Sequence, residues 1–319
     1  MAARMQVIKP GPLTSVQDAG RPGYLGKGIP PAGALDNGAF RVANQLAGND
    51  PGGAVLSTGS RGAAVLECTM SGPQVVFDED VNIAVTGGEA TPKVDGDPIP
   101  QWTCVTVRAG QVLDVGVIRR GLRTYLAVGG GFDVETYLGS RSTLLSAGLG
   151  GHQGRALRAA DELRLGRPSP RPAEETAAEL PLPVVGEVCR VRVHAGPQAH
   201  LFTEESRRLF HDAVWKLTPM SNRMGSRFVG PTLEFVPRPD YLDAQAGSNV
   251  SNIVDDIIPM GGVQCPDGAA AIVMNAEHPT AGGYAKIASI VAADLRLVAQ
   301  MRPGQEARFK LVESAEGHR

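Results

Sequence analysis

Four stretches of this 319-residue chain gather chemically able side chains among residues that stiffen the backbone. The first, GPLTSVQDAGRPGYLGKGIPPAGALD over 11–36, sets Gln17, Asp18 and Arg21 among glycines and prolines. A rigid loop with polar tips is where a scaffold mounts binding groups, although Pro and Gly also order plain surface loops. The second, Ser221-Asn222-Arg223-Met224-Gly225, offers two hydrogen-bonding side chains and a planar guanidinium fork suited to a carboxylate or phosphate, and Gly225 permits close approach. The third, PMGGVQCPDG over 259–268, places Gln264 alone among apolar neighbours, where a buried amide needs partners that a substrate amide can supply. Cys265 beside it has no local His or cation to make it a thiolate. The fourth, NAEHPTAGGYAK over 275–286, holds Glu277, His278, Thr280, Tyr284 and Lys286 around a Gly282-Gly283 pair. His278 moves protons near neutral pH, Lys286 neutralises an anion, and the two glycine amides form an anion nest if they make a turn. A lone His in a turn also serves structure alone, so His278 and Cys265 stay open as catalytic groups.

Other chemistries lack their motifs. There is no GxxxxGK(S/T) phosphate loop, no GxSxG elbow and no HExxH, and GLGGHQG over 148–154 has the wrong spacing for a dinucleotide fingerprint. No Met-Lys-Met run marks a covalent biotin site, and none is expected. The four cysteines form no CxxC pair, so no metal is predicted. Cys68, Cys104 and Cys189 sit in apolar runs and read as buried, inert thiols in a reducing compartment. A net charge of -2 gives no footprint for nucleic acid, and Arg119, Arg120 and Arg123 read as a solvated turn. With no apolar leader and no run approaching the roughly 20 apolar residues that span a bilayer, the expectation is a cytoplasmic protein without membrane partners.

Short strands must position these groups. Gly (40) and Pro (24) are abundant, which favours many short elements. Residues 63–70, 81–86, 112–118, 122–128 and 188–195 are rich in Val and Ile, and several alternate apolar with polar, as in barrels and sandwiches. Three helices interrupt them. One runs from an Asp36 cap to Gly48, one from a Thr203 cap to about Leu217, and a short one covers 294–301. Arg108-Ala-Gly-Gln111, Arg158-Ala-Ala-Asp161 and Arg302-Pro-Gly-Gln305 read as one reused tight turn before a strand. The Pro- and Glu-rich stretch between 166 and 187 cannot bury much and reads as an extended surface linker. The expected domains are therefore 1–166 and 187–319, with 167–186 between them.

Taken together, the four stretches resemble the family that unites the C component of 5-oxoprolinase, allophanate hydrolase subunit 2 and the biotin-dependent carboxyltransferase domain (A/B type), and that includes the kinase-inhibitor antagonist KipA. GPLTSVQDAGRPGYLGKGIPPAGALD is similar to its opening signature, SNRMGSRFVGP to its second, and IIPMGGVQCPDG and AEHPTAGGYAKIASIVAADLRLVAQMRPG to its C-terminal one. The similarity runs from about residue 5 to 309. The chain departs from the family pattern at Ala281 and Ala285 within Thr280–Ala285, across 259–264, and at His278, where Gln or Arg is expected.

The resemblance implies a mainly β fold of two β-barrel-like domains with a few short helices, the C-terminal domain cyclophilin-like. It implies a KipI-like partner, the B component of such enzymes and similar to allophanate hydrolase subunit 1, in a heterodimer or a dimer of heterodimers. It also implies a small amide substrate, with ATP used by the complex. Alternatives within the resemblance are a carboxyltransferase working with a separate biotin carrier, and a non-catalytic regulator. On this reading Arg223 and Lys286 hold an anionic group. Gln17, Asn222 and Gln264 orient the amide, and the Gly282 and Gly283 amides stabilise an oxyanion. His278 is a candidate catalytic group, with Asp18, Arg21, Ser221, Thr280 and Tyr284 binding substrate beside them. These residues are expected to meet over one cleft between the domains, and Arg223→Ala is expected to abolish activity while leaving thermal stability nearly unchanged.

Overall fold

Alternating apolar and polar residues build strands almost throughout the computed structural model, which describes residues 3–53, 59–168, 176–238 and 240–312. The chain divides into two units: Met1–Gly23 with Pro31–Leu182, and Tyr24–Pro30 with Pro183–Arg319.

In the first unit a six-stranded and a five-stranded sheet share one core. Met5, Val7, Val75, Phe77 and Leu113 face inward from the larger sheet and meet Val16, Leu66, Cys68, Ile83, Val85 and Leu126 from the smaller. Fully burying one such side chain stabilises by about 1.5–3 kcal/mol. The smaller sheet buries its other face too. Val65, Tyr125 and Ala127 pack on Ala39, Phe40 and Ala43 of the helix Asn37–Leu46 and on Ala47, which ends it. Asp36 caps that helix by accepting from the Ala39 amide, and Gly48 follows it with a positive φ of 74°, as the sequence implies. Between these layers lies a buried acid. Glu67 Oε2 accepts from the Tyr125 hydroxyl and from the Leu35 amide, both at 2.8 Å, and Glu67 Oε1 lies 3.8 Å from Arg123 Nε. Arg123 is thus not a solvated turn residue. It stands in the strand Arg120–Val128 and faces inward, and only Arg119 and Arg120 are exposed.

Part of the expected linker is docked. Ala177 N–H donates to the Trp102 carbonyl at 2.9 Å, Thr176 bridges Thr103, and Leu180 packs against the Phe40–Tyr125 cluster. One leucine among prolines is enough to hold the strap, because extended backbone can borrow hydrogen bonds from a neighbouring edge.

In the second unit seven strands close a barrel in the order Cys189–Ala195, Lys286–Ile290, Gly262–Gln264, Ala270–Met274, Gly225–Val229, Trp215–Leu217, Glu306–Leu311, and back to the first by a parallel pairing. Closure leaves no free edge among them. Its interior holds Phe210, Trp215, Phe228 and Phe309, with the Phe210 and Phe309 rings stacked at 5.1 Å. The helix expected from Thr203 to Leu217 stops at Asp212. Thr203 caps it as expected, but Ala213 turns extended and Trp215–Leu217 becomes a barrel strand with only Lys216 outward. Val214 and Trp215 suit a pleated surface, and Trp215 Nε1 donates to the Phe210 carbonyl at 3.0 Å, which satisfies a helix-end acceptor. The helix expected over 294–301 runs Leu295–Gln300 behind a 3-10 turn, and Asp240–Ala246 adds a helix the sequence reading did not foresee. Cys68 and Cys265 are buried, whereas Cys104 and Cys189 are only half-buried, because each lies near the end of an apolar run.

The three echoed turns are one device. The Arg amide of each donates to the side chain three residues on, at 2.9 Å for Gln111, 2.7 Å for Asp161 and 2.7 Å for Gln305, and that residue's amide donates back to the Arg carbonyl. The residue before it has positive φ in every case: Gly110 at 81°, Ala160 at 68° and Gly304 at 92°. Ala160 is the strained version, since a Cβ in that region costs about 1–2 kcal/mol. Ala160→Gly should therefore raise stability by about 0.5 kcal/mol once the added chain entropy is counted. Gly304→Ala, where an added Cβ meets nothing within 4 Å, should lower it by about 1 kcal/mol. Urea unfolding midpoints check both signs.

Candidate functional site

Gln17, Asp18 and Arg21 lie in the first unit and are fully buried, because the strand Leu13–Gln17 carries them under the segment 137–143. The Asp18 carboxylate accepts four hydrogen bonds: from Gly20 N at 2.7 Å, Ser140 Oγ at 2.6 Å, Ser142 Oγ at 2.5 Å and Arg141 N at 2.6 Å. Gln17 Nε2 donates to Ser15 Oγ and to the Thr143 carbonyl, and its Oε1 accepts from Gly33 N. Arg21 donates to the carbonyls of Tyr137 and Ser142. The polar tip of this loop is an internal knot that ties it to 137–143. The glycine run 148–154 is likewise filled by its own chain, since a Cβ on Gly151 would lie 1.9 Å from Thr143 Oγ1. That leaves no cradle for a phosphate.

The other candidates belong to the barrel unit. The turn 221–225 is built by its own side chains. Asn222 Oδ1 accepts from Met224 N at 2.8 Å and Gly225 N at 3.2 Å, while Ser221 Oγ donates to the Thr218 carbonyl and accepts from Arg227 N. Arg223 points inward, 4% exposed, and its Nε donates to Glu277 Oε1 at 2.6 Å. Glu277 is equally buried, and its amide donates to the Arg223 carbonyl, which locks the second stretch to the fourth. Asn275 Nδ2 adds bonds to the Asn222 carbonyl at 2.8 Å and Ser226 Oγ at 3.0 Å.

The buried nitrogens of this unit that have no hydrogen-bond partner among the described residues include Nε2 of Gln264 and Nε2 of His278. Buried polar atoms are seldom left so. His278 is 1% exposed, and its Nδ1 lies 2.8 Å from the Pro279 carbonyl. A carbonyl there accepts, so Nδ1 carries the proton and Nε2 presents a lone pair. Burial pushes the His278 pKa below its ordinary 6.5, against the pull of that carbonyl.

Gln264 stands directly opposite Lys286 across the antiparallel pair of strands, so both side chains leave the same face. Lys286 is 1% exposed, and its Nζ donates to Asp256 Oδ2 at 3.1 Å. That hydrogen bond holds the Asp256 carboxyl below the usual range. Gln198 braces the pair, donating from Nε2 to Asp256 Oδ2 at 3.2 Å and accepting the Lys286 amide on Oε1 at 3.3 Å. Asp256 sits on a two-stranded ribbon, Asn252–Ile257 with Ala281–Tyr284, opposite Gly282. Gly282 and Gly283 are therefore strand residues with negative or extended φ, not the turn the sequence suggested. Ribbon pairing claims the chain direction that a nest would need. Thr280 is half-buried and its carbonyl accepts from Ile258 N, and Tyr284 is exposed. Burial drives the Cys265 thiol pKa far up, so it offers no thiolate. Sequence reasoning missed Gln198 and Asp256 because nothing but the folded register brings them to Lys286, and it named Glu277 without seeing its partner.

Among the described residues no helix is long and apolar enough to cross a membrane, and no three His, Cys, Asp or Glu side chains gather as a metal site would need. The family model for the carboxyltransferase domain, subdomain A and B, matches residues 27–311. The chain belongs to this family. It is 35% identical to the C component of 5-oxoprolinase from Escherichia coli, covering 96% of this chain and 90% of that protein. It is 34% identical to urea amidolyase of Saccharomyces cerevisiae over 96% of this chain, but spans only 16% of that much longer protein. The crystal structure of the Kluyveromyces lactis urea carboxylase matches at 33% identity and a TM-score of 0.85, over 96% of this chain and 27% of that one. Both kinds of relative thus match this carboxyltransferase-family chain over 96% of its length.

The buried Arg223–Glu277 pair corrects the expectation that Arg223→Ala leaves thermal stability nearly unchanged. Removing one partner of such a pair costs about 3–5 kcal/mol, because the other charge stays buried. Arg223→Met and Glu277→Leu should each lower unfolding stability by about 3 kcal/mol, and the double variant should lose clearly less than the sum in a urea-denaturation cycle. For His278, the contribution to stability is complete above its unfolded pKa of 6.5 and is lost as pH falls through the lower folded value. Nitrogen-detected NMR should show the Nδ1–H tautomer at pH 7 and a midpoint below 6.5.

Proposed function

We propose that this chain is one subunit of a heteromeric, ATP-dependent amide hydrolase of the 5-oxoprolinase type, working with a KipI-like partner as the B component. The observation that carries the reading is the 35% identity over 90% of the C component of 5-oxoprolinase, a relative matched along nearly its full length. The barrel suits the chemistry. The Lys286 ammonium and Gln264 Nε2 offer buried donors to the oxygens of a small ligand, and His278 Nε2, without a partner among the described residues, offers a buried acceptor for an N–H. A site built from buried polar groups rejects ligands that leave those groups unpaired, which gives selectivity for an amide over an ester or ketone. ATP is assigned to the complex and its phosphates to the partner, in keeping with the filled glycine run at 148–154.

A second reading, carboxyl transfer from a separate biotin carrier, is favoured by the TM-score of 0.85 to the K. lactis urea carboxylase. Co-purification with the KipI-like partner separates the two. ATP hydrolysis stimulated by 5-oxoproline, with glutamate formed, supports the hydrolase. Carboxylation of urea only when a biotinylated carrier is added supports the transferase and overturns the first reading. In the active complex Lys286→Met should lower kcat by about 100-fold or more with the two proteins still co-eluting.

A further inference from the structure

Lys286 and Asp256 are unequal partners. The lysine is 1% exposed and rooted in a barrel strand, whereas the Asp256 side chain is 47% exposed. Asp256 stands on a ribbon of two strands that pair only with each other. A two-stranded ribbon is marginal by itself, and an open hollow of about 550 Å³ borders this one at Asn252, Asp255, Gly283 and Tyr284. The acid can therefore withdraw into water when another anion takes its place on the ammonium, which cannot follow. Withdrawal would free two donors that now bond the acid, Lys286 Nζ and Gln198 Nε2, on the side of the strand pair where Gln264 stands opposite Lys286 with an Nε2 that has no partner among the described residues. Gly282 keeps the approach to Gln264 open, since a Cβ there would stand 3.9 Å from Nε2.

We propose that Asp256 is a displaceable internal carboxylate occupying a binding site for the carboxylate of a small-molecule ligand, formed by Lys286, Gln198 and Gln264. The inference rests on reading the barrel as the small-molecule site and names the ligand group that enters it. Two carboxylate oxygens match three donors, one of them charged. The ligand competes with Asp256 for Lys286, so its apparent affinity is reduced by the fraction of molecules in which the acid is seated. In Asp256→Asn the competing charge is gone and the buried ammonium lacks its counter-ion.

Titration of the full chain with sodium acetate, followed by NMR and by thermal melting, tests this. Asp256→Asn should bind acetate at least about tenfold more tightly than the unmodified chain and gain more melting temperature from it. Adding Lys286→Met to that variant should abolish the binding. If the lysine variant fails to fold, Gly282→Ala in the Asp256→Asn background does the same work. Its Cβ meets only the end of Ile258 at 3.0 Å and screens Gln264, so binding should weaken with the fold intact. Equal acetate affinity with and without Asp256, or binding that survives both Lys286→Met and Gly282→Ala, overturns the proposal. Phosphate binding as tight as acetate overturns the carboxylate class. Turnover of 5-oxoproline by the complex alongside an unresponsive Asp256→Asn would sink this inference and spare the functional reading, and the reverse pattern would do the opposite.

Discussion

A lysine ammonium held inside a closed barrel is the constraint around which the second unit is arranged. Taking such a charge out of water is tolerable only if an acid and further hydrogen bonds meet it. Asp256 and Gln198 supply them, and they come from a ribbon and a turn with no sequence proximity to Lys286. The same demand explains the second buried pair, Arg223 with Glu277, which fastens the turn 221–225 to the segment after the strand Ala270–Met274. The barrel thus carries two internal ion pairs of different character. One is closed on both sides and holds the fold, and the other has a half-exposed acid and is open to exchange.

The first unit meets a similar demand with neutral donors. Four hydrogen bonds converge on the Asp18 carboxylate, two from serine hydroxyls and two from backbone amides. Glu67, under the helix Asn37–Leu46, is held by a tyrosine hydroxyl and an amide with Arg123 close by. Acids so satisfied tie the segments around them together. In this way Asp18 ties its loop to Ser140, Arg141 and Ser142, and Glu67 holds the Leu35 amide.

Much of the architecture was legible because its causes are local. The Asp36 and Thr203 caps, the strand Cys189–Ala195 and the three Arg-led turns all follow from contacts within a few residues. The errors arose where a local pattern fitted two outcomes. Leu209 to Leu217 has helical spacing, but the need to close the barrel drew Trp215–Leu217 into a strand. Gly282-Gly283 has turn composition, but pairing with Asn252–Ile257 stretched it.

By itself the sequence determined the β-rich class, the tight turns, the helix starts and the short roster of polar residues, since period-two alternation and side-chain capping are properties of neighbours. The tertiary structure alone decided what those polar residues do. It buried Gln17, Asp18 and Arg21 in a knot, paired Arg223 with Glu277, and left Gln264 and His278 with one nitrogen each unsatisfied among the described residues. It also brought Asp256 and Gln198 to Lys286 across gaps of 30 and 88 residues. The fate of a charge depends on what shares its low-dielectric surroundings, and only strand register and barrel closure set that.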